Sequence, residues 1–228
     1  MRSKQFTTGL TVGLCMLCAD VLPAAEPGPV TKAGDPDRIL RVPGENADKL
    51  FEGVLDGRKV WPLQGGFAHL WLDRDLAAGN RLIREAQLAI IRNEGGTDAM
   101  TPEIAASEHV KWQMRTWNRI YQLFNDKSRF HHGRLDKETQ AMIEQMFWFY
   151  VCDNSRFERA APQHIWGIHE SENHEMMRYS NTLLALQALK HSPAYKNRKL
   201  PDGRSIKEHY EGWNAYYKLY CVERARHG

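Results

Sequence analysis

Hydrophobic side chains recur every three or four residues from about residue 81 to the end of the chain, which is the spacing of amphipathic α-helices. The first run covers residues 82–90, and Gly95-Gly96 ends it. Thr101 can cap the next helix, whose apolar stripe steps in fours and threes from Val110 to Phe124. The pattern therefore predicts two amphipathic helices in this part of the chain.

Three more helices are predicted farther along, over about residues 136–152, 171–190 and 206–220. In the last of them Tyr217 falls on the apolar stripe, whereas Tyr216 falls beside it. No alternating strand pattern competes with the helices, and amphipathic helices joined by short loops pack in pairs or layers. We therefore predict an all-α fold built as a helical-hairpin array over residues 81–228.

The first 80 residues lack this periodicity and divide into two parts. Residues 1–25 have the layout of a signal peptide: Arg2 and Lys4, an apolar run over 9–22, and small residues before Glu26. The apolar run is shorter than the ~20 residues that a membrane span needs, although an uncleaved anchor is the alternative. Residues 26–47 are rich in proline and glycine and residues 53–80 are mixed, so we expect an irregular lead-in over residues 26–80. Within it, Gly65-Gly66 could form a plain turn or border a sugar cleft. The chain is thus predicted to be periplasmic or secreted.

The net charge and the cysteine content refine the predictions of partners and of covalent links only slightly. The formal charge of the 228-residue chain is +3, and no basic block stands out, so the sequence does not predict a nucleic-acid partner. Once the leader is removed, we expect no membrane association either. Cys152 and Cys221 are the two cysteines outside the leader, and in an oxidising compartment they can form a disulfide that joins two helices. Two buried thiols are the alternative.

Polar side chains that can carry chemistry are densest around the predicted helix start at Ser171, in the run Trp166-Gly167-Ile168-His169-Glu170-Ser171-Glu172-Asn173-His174. One interpretation is ordinary helix capping with a solvated turn. A metal site is a second interpretation, but the two histidines four apart that a zinc protease requires are missing, and we predict no metal or other cofactor. A third interpretation is an acid–base site. Asn173 could stabilise an enolate while the His174 imidazole removes a proton beside a carboxylate.

The motif Glu172-Asn173-His174-x-x-Met177, following Trp166, resembles a segment of secreted bacterial polysaccharide lyases with an (α/α) toroid fold, the alginate lyase and heparinase-like group. A second stretch is also similar to these proteins: Leu200-Pro201-Asp202-Gly203-Arg204, then Trp213-x-x-Tyr216-Tyr217 and the closing residues 223–228. The resemblance covers about residues 142–228. A complete toroid has more helix pairs than this chain, so the resemblance implies the N-terminal portion of a toroid.

The resemblance also implies an activity, namely β-elimination on an acidic, uronate-containing polysaccharide. Its catalytic residues would be Asn173 on the uronate carboxylate, His174 as the base and Tyr216 as a second proton carrier. The substrate-binding residues would be Glu172, Trp166 and His169, with Trp166 stacking on a sugar ring. Two alternatives remain: a non-catalytic exported module that binds a glycan or a protein, and a hydrolase that uses Glu172 as its general acid.

Overall fold

The fold is described from a computed structural model, which covers residues 62–167 and 171–227, with Glu172 in its backbone only. Seven α-helices occur in these ranges: α1 Pro62–Leu72, α2 Leu76–Asn93, α3 Pro102–Ala105, α4 Glu108–Phe124, α5 Lys137–Asn154, α6 Glu172–Leu189 and α7 Ile206–His227. Two 3₁₀ turns, Phe157–Ala160 and Pro162–His164, join α5 to α6. The described residues contain no strand beyond an isolated bridge between Lys199 and Ser205. The predicted all-α class is confirmed.

Short polar side chains set the helix starts that the sequence indicated. The Asp136 carboxylate accepts from the backbone N–H of Thr139 at 2.7 Å, so α5 begins where predicted. Thr101 also caps a helix, but that helix ends after one turn at Ala105. Ser107 caps a separate helix, α4, which carries the Val110–Phe124 stripe. The single helix predicted from Thr101 is therefore two helices.

The predicted irregular lead-in is wrong over residues 62–80, where α1 and the start of α2 form a helical pair. Gly66 lies within α1 rather than in a turn. A Cβ atom at Gly66 would lie 2.8 Å from the carbonyl oxygen of Gly79 and 2.6 Å from Ile83 Cγ1. The glycine therefore allows two helix backbones to approach each other, a use of glycine that resembles a turn signal in the sequence. Residues 1–61, which include the predicted leader, lie outside the described residues.

Hydrogen bonds between the helices show which of them run in the same direction. Hydrogen bonds from α4 to α6 advance together along both helices: Asn118 donates to the carbonyl of Asn181 at 3.4 Å, and Gln122 to that of Leu184 at 3.4 Å. These two helices are therefore parallel. The contacts between α2 and α5 advance in the same way, from Asn80 with Arg134 to Gln87 with Met142. The described helices form an array in which the consecutive pairs α1–α2, α5–α6 and α6–α7 pack together and two pairs run parallel; its closure into a toroid stays a prediction.

Two buried polar networks fix the array internally. In the first, the Glu144 carboxylate on α5 accepts from the Tyr121 hydroxyl at 2.6 Å, the Ser192 hydroxyl at 2.6 Å and the Gln140 amide at 3.1 Å. Glu144 thereby links α4, α5 and the loop after α6. A buried carboxylate is tolerable only when donors of this kind replace its water.

The second network joins the end of α5 to the start of α7. The Ser155 hydroxyl lies 2.7 Å from His209 Nδ1 and accepts from the Trp213 indole N–H at 2.8 Å. His209 Nε2 lies 3.0 Å from both oxygens of Asp202. Because Ser155 and His209 are buried, these bonds hold the two helix ends together with little access for water.

The expected disulfide is not present. Cys152 and Cys221 are both half-buried and both carry thiols in the structure. Burial raises the pKa of the Cys152 thiol to about 11, although the charge of Arg198 acts in the opposite direction. Cys152 is therefore held as a neutral thiol. Separately, no helix in the described ranges has both the length and the apolar character that a membrane span requires.

Candidate functional site

A groove opens where the first turns of α4 and α6 meet the end of α5. Its cavity volume is about 30 Å³, which is room for only one or two water molecules, so the groove is a shallow depression that is open to solvent. A ligand there would lie against the surface rather than inside an enclosed pocket. The groove is lined by Glu108, Lys111, Trp112, Tyr150, His174, Met177 and Arg178.

An aromatic pair forms one wall of the groove. The His174 imidazole meets the Trp112 indole edge to face, with ring centroids 4.8 Å apart and an interplanar angle of 88°. Trp112 is 44% exposed, an unusual fraction for tryptophan, so much of its ring surface is open to a ligand. Trp112 thus holds the imidazole at a fixed angle and offers an apolar surface beside it.

Two permanent cations and one anion line the same groove. The Lys111 ammonium lies in the second half of the first turn of α4 and binds the Glu108 carboxylate at 3.0 Å. Arg178 lies one turn after His174 on α6, so both side chains project from the same face of that helix. Among the described lining residues, the formal charges are therefore two positive and one negative when His174 is neutral.

The helix backbones add to this positive character. Glu108, Lys111 and His174 all belong to the first turns of their helices, α4 and α6. The exposed N–H groups at a helix N-terminus carry partial positive charge, and here two parallel helices start at the same groove. Lysine, arginine and both helix starts therefore favour an anionic ligand.

Tyr150 forms the floor of the groove and is only 1% exposed. Burial raises the pKa of Tyr150 well above its ordinary value, although the charge of Arg178 and the polar groups of Thr182 and Asn181 act in the opposite direction. The phenol therefore stays protonated and can act as a hydrogen-bond or proton donor. At helical spacing Tyr150 falls on the apolar, inward face of α5, a position that by itself indicates only core packing.

The structure brings only one of the three predicted catalytic residues into the groove. His174 lines it, whereas Asn173 is exposed at the helix start and is not among the lining residues. The amide oxygen of Asn173 accepts from the Ser171 hydroxyl at 2.6 Å. His169 and the side chain of Glu172 lie outside the described residues. The predicted pairing of Asn173 with His174 on one ligand is therefore not seen in the groove.

Tyr216 is also displaced from its predicted role. It is 2% exposed and donates to the backbone carbonyl of His164 at 3.2 Å, within an aromatic cluster that includes Tyr179 and Tyr220. The prediction that Tyr216 lies beside the buried stripe of α7 is wrong. Both Tyr216 and Tyr217 are buried, because α7 packs against α6 on one face and the 3₁₀ segment on another.

Trp166 is 52% exposed, as a sugar-stacking residue should be, but it lies away from the groove lining. Its ring packs against the Arg224 guanidinium at 5.0 Å and against the His227 ring at 6.3 Å. Sequence reasoning selected Trp166 and missed Trp112, Lys111 and Arg178. One signal was available: Trp112 lies two positions after Val110 and therefore off the apolar stripe of its helix.

The Ser155–His209–Asp202 network contains the residue types of a catalytic triad. In a catalytic triad the serine is accessible and the carboxylate is buried, whereas here the order of exposure is reversed. The serine is 6% exposed and the imidazole 1%, whereas the carboxylate is the most accessible member. The Trp213 indole also occupies a lone pair of the Ser155 oxygen. A nucleophile needs an oxygen that a substrate carbonyl can approach, so this network acts as a structural link between helices.

Within residues 62–167 and 171–227, no three histidine, cysteine, aspartate or glutamate side chains lie close enough together to hold a metal ion. Comparison of the chain with protein-family models, with curated proteins and with solved structures finds no match. The lyase resemblance therefore rests on the quoted motifs, and the function has to be argued from the groove.

Proposed function

We propose that this chain binds an acidic polysaccharide, with one uronate unit in the groove, and cleaves it by β-elimination. One observation carries the proposal: His174, Arg178, Lys111 and the exposed face of Trp112 converge on a single groove at the starts of two parallel helices. Cations recognise a carboxylate, and an open indole face stacks on the apolar face of a sugar ring.

In this proposal the carboxylate of the sugar is neutralised by Arg178 and Lys111. The resemblance assigned that role to Asn173, but the amide lies outside the groove lining. Arginine suits the role because its guanidinium can donate two parallel hydrogen bonds to one carboxylate. Neutralising the carboxylate also makes the proton on the adjacent carbon easier to remove, since the developing enolate carries the added charge.

The proton transfers are assigned to His174 and Tyr150. The His174 imidazole removes the proton from the carbon beside the carboxylate, and the electron pair forms a double bond to the next carbon. The bond from that carbon to the glycosidic oxygen breaks, and the oxygen takes a proton from the Tyr150 hydroxyl. Burial keeps that hydroxyl protonated before the reaction, and the charge of Arg178, which acts to lower the pKa of Tyr150, would stabilise the phenolate that forms.

The test is the ultraviolet absorbance of the unsaturated product, measured on alginate-type, heparin-type and chondroitin-type polymers. We expect wild type to generate this absorbance on at least one polymer, and His174→Ala to lower kcat by roughly 10²-fold or more. His109→Ala is the matched control, because His109 lies on α4 near the groove but does not line it. Equal activity of the two variants would overturn the assignment of His174.

A second candidate is glycan binding without cleavage. It is favoured by the positions of Asn173 and Tyr216, since neither joins His174 in the groove. In that case a uronate oligosaccharide would bind, and replacing Trp112 would weaken that binding. No polymer would give a product that contains a new double bond. New reducing ends without a double bond would instead favour the hydrolase alternative with Glu172.

Export is part of the same proposal, because an acidic polysaccharide is met outside the cytoplasm. The supporting observation is the layout of residues 1–25, which lie outside the described residues. Mass spectrometry of the protein expressed in a Gram-negative host should show a chain that begins near Glu26, recovered from the periplasm or the medium. An intact N-terminus in the cytoplasmic fraction would contradict this.

A further inference from the structure

The helix α7 carries an apolar stripe on its exposed side. Its buried side packs on α6 and on the 3₁₀ turn Phe157–Ala160. On the other side lie Ala215, Leu219 and Val222, which follow one another at steps of four and three residues. Leu219 is 36% exposed and Val222 44%. Single exposed apolar residues are common, but three in line at this spacing form a surface on which another helix can pack.

A charged side chain of opposite sign stands at each end of this stripe. Glu211 lies one turn before Ala215, Arg226 lies one turn after Val222, and both charged side chains are exposed. The two are about 22 Å apart along the helix, so they cannot pair within one chain. An antiparallel copy of the helix would place each Glu211 opposite the Arg226 of the other copy. In the same register Ala215 lies opposite Val222, and Leu219 meets its own copy.

We infer that α7 is a self-association surface, through which two copies of this chain pair antiparallel about a twofold axis near Leu219. The charges select a second copy as the occupant, because a stripe with acid at one end and base at the other is complementary to itself when reversed. The small side chain of Ala215 opposite the larger Val222 suits close packing of two helices. The inference does not depend on the proposed lyase activity.

Helix stability alone explains only part of this charge pattern. Arg226 lies in the last turn of α7, where a cation stabilises any helix. Glu211 lies in the second turn, beyond the region in which an acidic side chain gains from the helix dipole. It pairs with Lys207 at 3.8 Å, but lysine before glutamate is the weaker order for a pair four residues apart. Such exposed pairs contribute little and can be exchanged for a partner on another chain.

The length of the stripe sets the expected strength of the contact. Three apolar side chains per copy bury less than the ~1,600 Å² of a standard interface, so we expect a reversible dimer with a micromolar rather than nanomolar dissociation constant. Lys218 is exposed beside Leu219, and its flexible stem can keep the ammonium in water at the edge of the contact.

Sedimentation equilibrium of the purified chain over a range of concentrations tests the dimer. The mass of wild type should rise from that of a monomer toward twice that value. Leu219→Glu should raise the dissociation constant by about tenfold or more, because it places two carboxylates at the axis. Phe130→Glu is the matched control, since Phe130 is still more exposed and lies between α4 and α5, and it should change nothing. Circular dichroism checks that both variants are folded.

Charge exchange tests the antiparallel register. Glu211→Lys and Arg226→Glu each turn two attractive contacts into repulsive ones, so each should weaken the dimer by about three- to tenfold at low salt. Net charge alone predicts opposite effects of these two variants on a chain with a positive formal charge. The double variant Glu211→Lys/Arg226→Glu has the net charge of wild type and restores both contacts, so it should recover wild-type association.

Three results would overturn the inference. A wild type that stays monomeric at every concentration would show that another part of the chain, or a different partner, covers the stripe. Equal effects of Leu219→Glu and Phe130→Glu would place the contact on another surface. A double variant that associates no better than the single ones would exclude the antiparallel register. None of these results bears on the groove, so the proposed function is tested separately.

Discussion

Tyr150 and Tyr216 are both almost fully buried, but they lie in different surroundings. Tyr150 lines the groove, whereas the Tyr216 hydroxyl donates to the backbone carbonyl of His164 inside an aromatic cluster. Burial raises the pKa of both phenols, so neither is ionised near neutral pH. The proposed role of Tyr150 as a proton donor therefore rests on its place in the groove lining and not on its protonation state.

Replacing each tyrosine by phenylalanine tests this distinction, since the two changes remove the same atom at similar burial. Tyr150→Phe should lower kcat for elimination by roughly 10²-fold while the dissociation constant for an oligouronate changes little. Tyr216→Phe should leave kcat close to wild type. Initial rates and binding constants for both variants check this, and the reverse order of effects would restore the assignment made from the sequence.

The difference between these tyrosines also shows where sequence periodicity stops being informative. A stripe at helical spacing identifies one buried face, and α7 has two, because α6 and the 3₁₀ segment both pack against it. Tyr216 was misassigned for that reason. Trp112, Lys111 and Arg178 were missed for the opposite reason: each is an ordinary surface residue until the parallel packing of α4 on α6 brings them together.

The sequence predicts where helices begin when a nearby residue sets the boundary, but it does not predict how the helices pack against each other. Asp136 marks the start of α5 as expected, because a capping side chain acts within a few residues of itself, and α6 begins after Ser171 as expected although the Ser171 side chain makes no capping hydrogen bond. The pair α1–α2 escaped prediction, because the close approach of Gly66 to Gly79 depends on residues that only tertiary structure brings into contact.

The hydrogen-bond network around Glu144 predicts that replacing this residue lowers the free energy of unfolding by a large amount. Glu144→Ala removes an acceptor shared by the buried Tyr121 and Ser192 hydroxyls, and we expect a loss of about 2–4 kcal/mol in the free energy of unfolding. Urea unfolding of Glu144→Ala measures this. Glu138→Ala, at an exposed site, should cost less than about 1 kcal/mol; similar losses in both variants would contradict the network's role.

The link between α5 and α7 should give stability a dependence on acid pH. Burial is the largest single influence on the pKa of Asp202 and acts to raise it, but hydrogen bonds from His209 and the Arg204 backbone and nearby positive charge together outweigh burial, so the pKa is lowered. A folded-state pKa below the unfolded value of about 3.9 means that this contribution is complete above that pH and is lost as the pH falls through the folded pKa.

Asp202→Asn tests the sign of this effect. The free energy of unfolding of wild type should exceed that of the variant near neutral pH, and the difference should shrink as the pH falls below about 4. Unfolding in urea across a pH series measures both curves. Asp98→Asn, which removes an exposed aspartate paired with Arg92, is the control. A difference that grows toward acid pH would contradict the account.

The described part of the protein combines a helical array, two buried polar links and one groove at the end where α4 and α6 begin. The links lie at other places in the array, so they can be altered without changing the groove lining. This separation means that stability and ligand binding should respond to different substitutions. The proposed activity depends on the groove as the place where an anionic sugar binds.

The most direct measurement is the dissociation constant of a defined unsulfated oligouronate, by isothermal titration, for wild type, Arg178→Gln and Arg198→Gln. Arg178 lines the groove, whereas Arg198 stacks on Trp148 and Tyr195 elsewhere. We predict binding by wild type, a loss of about tenfold or more in Arg178→Gln, and no change in Arg198→Gln. Equal affinities of folded wild type and Arg178→Gln would contradict the central claim.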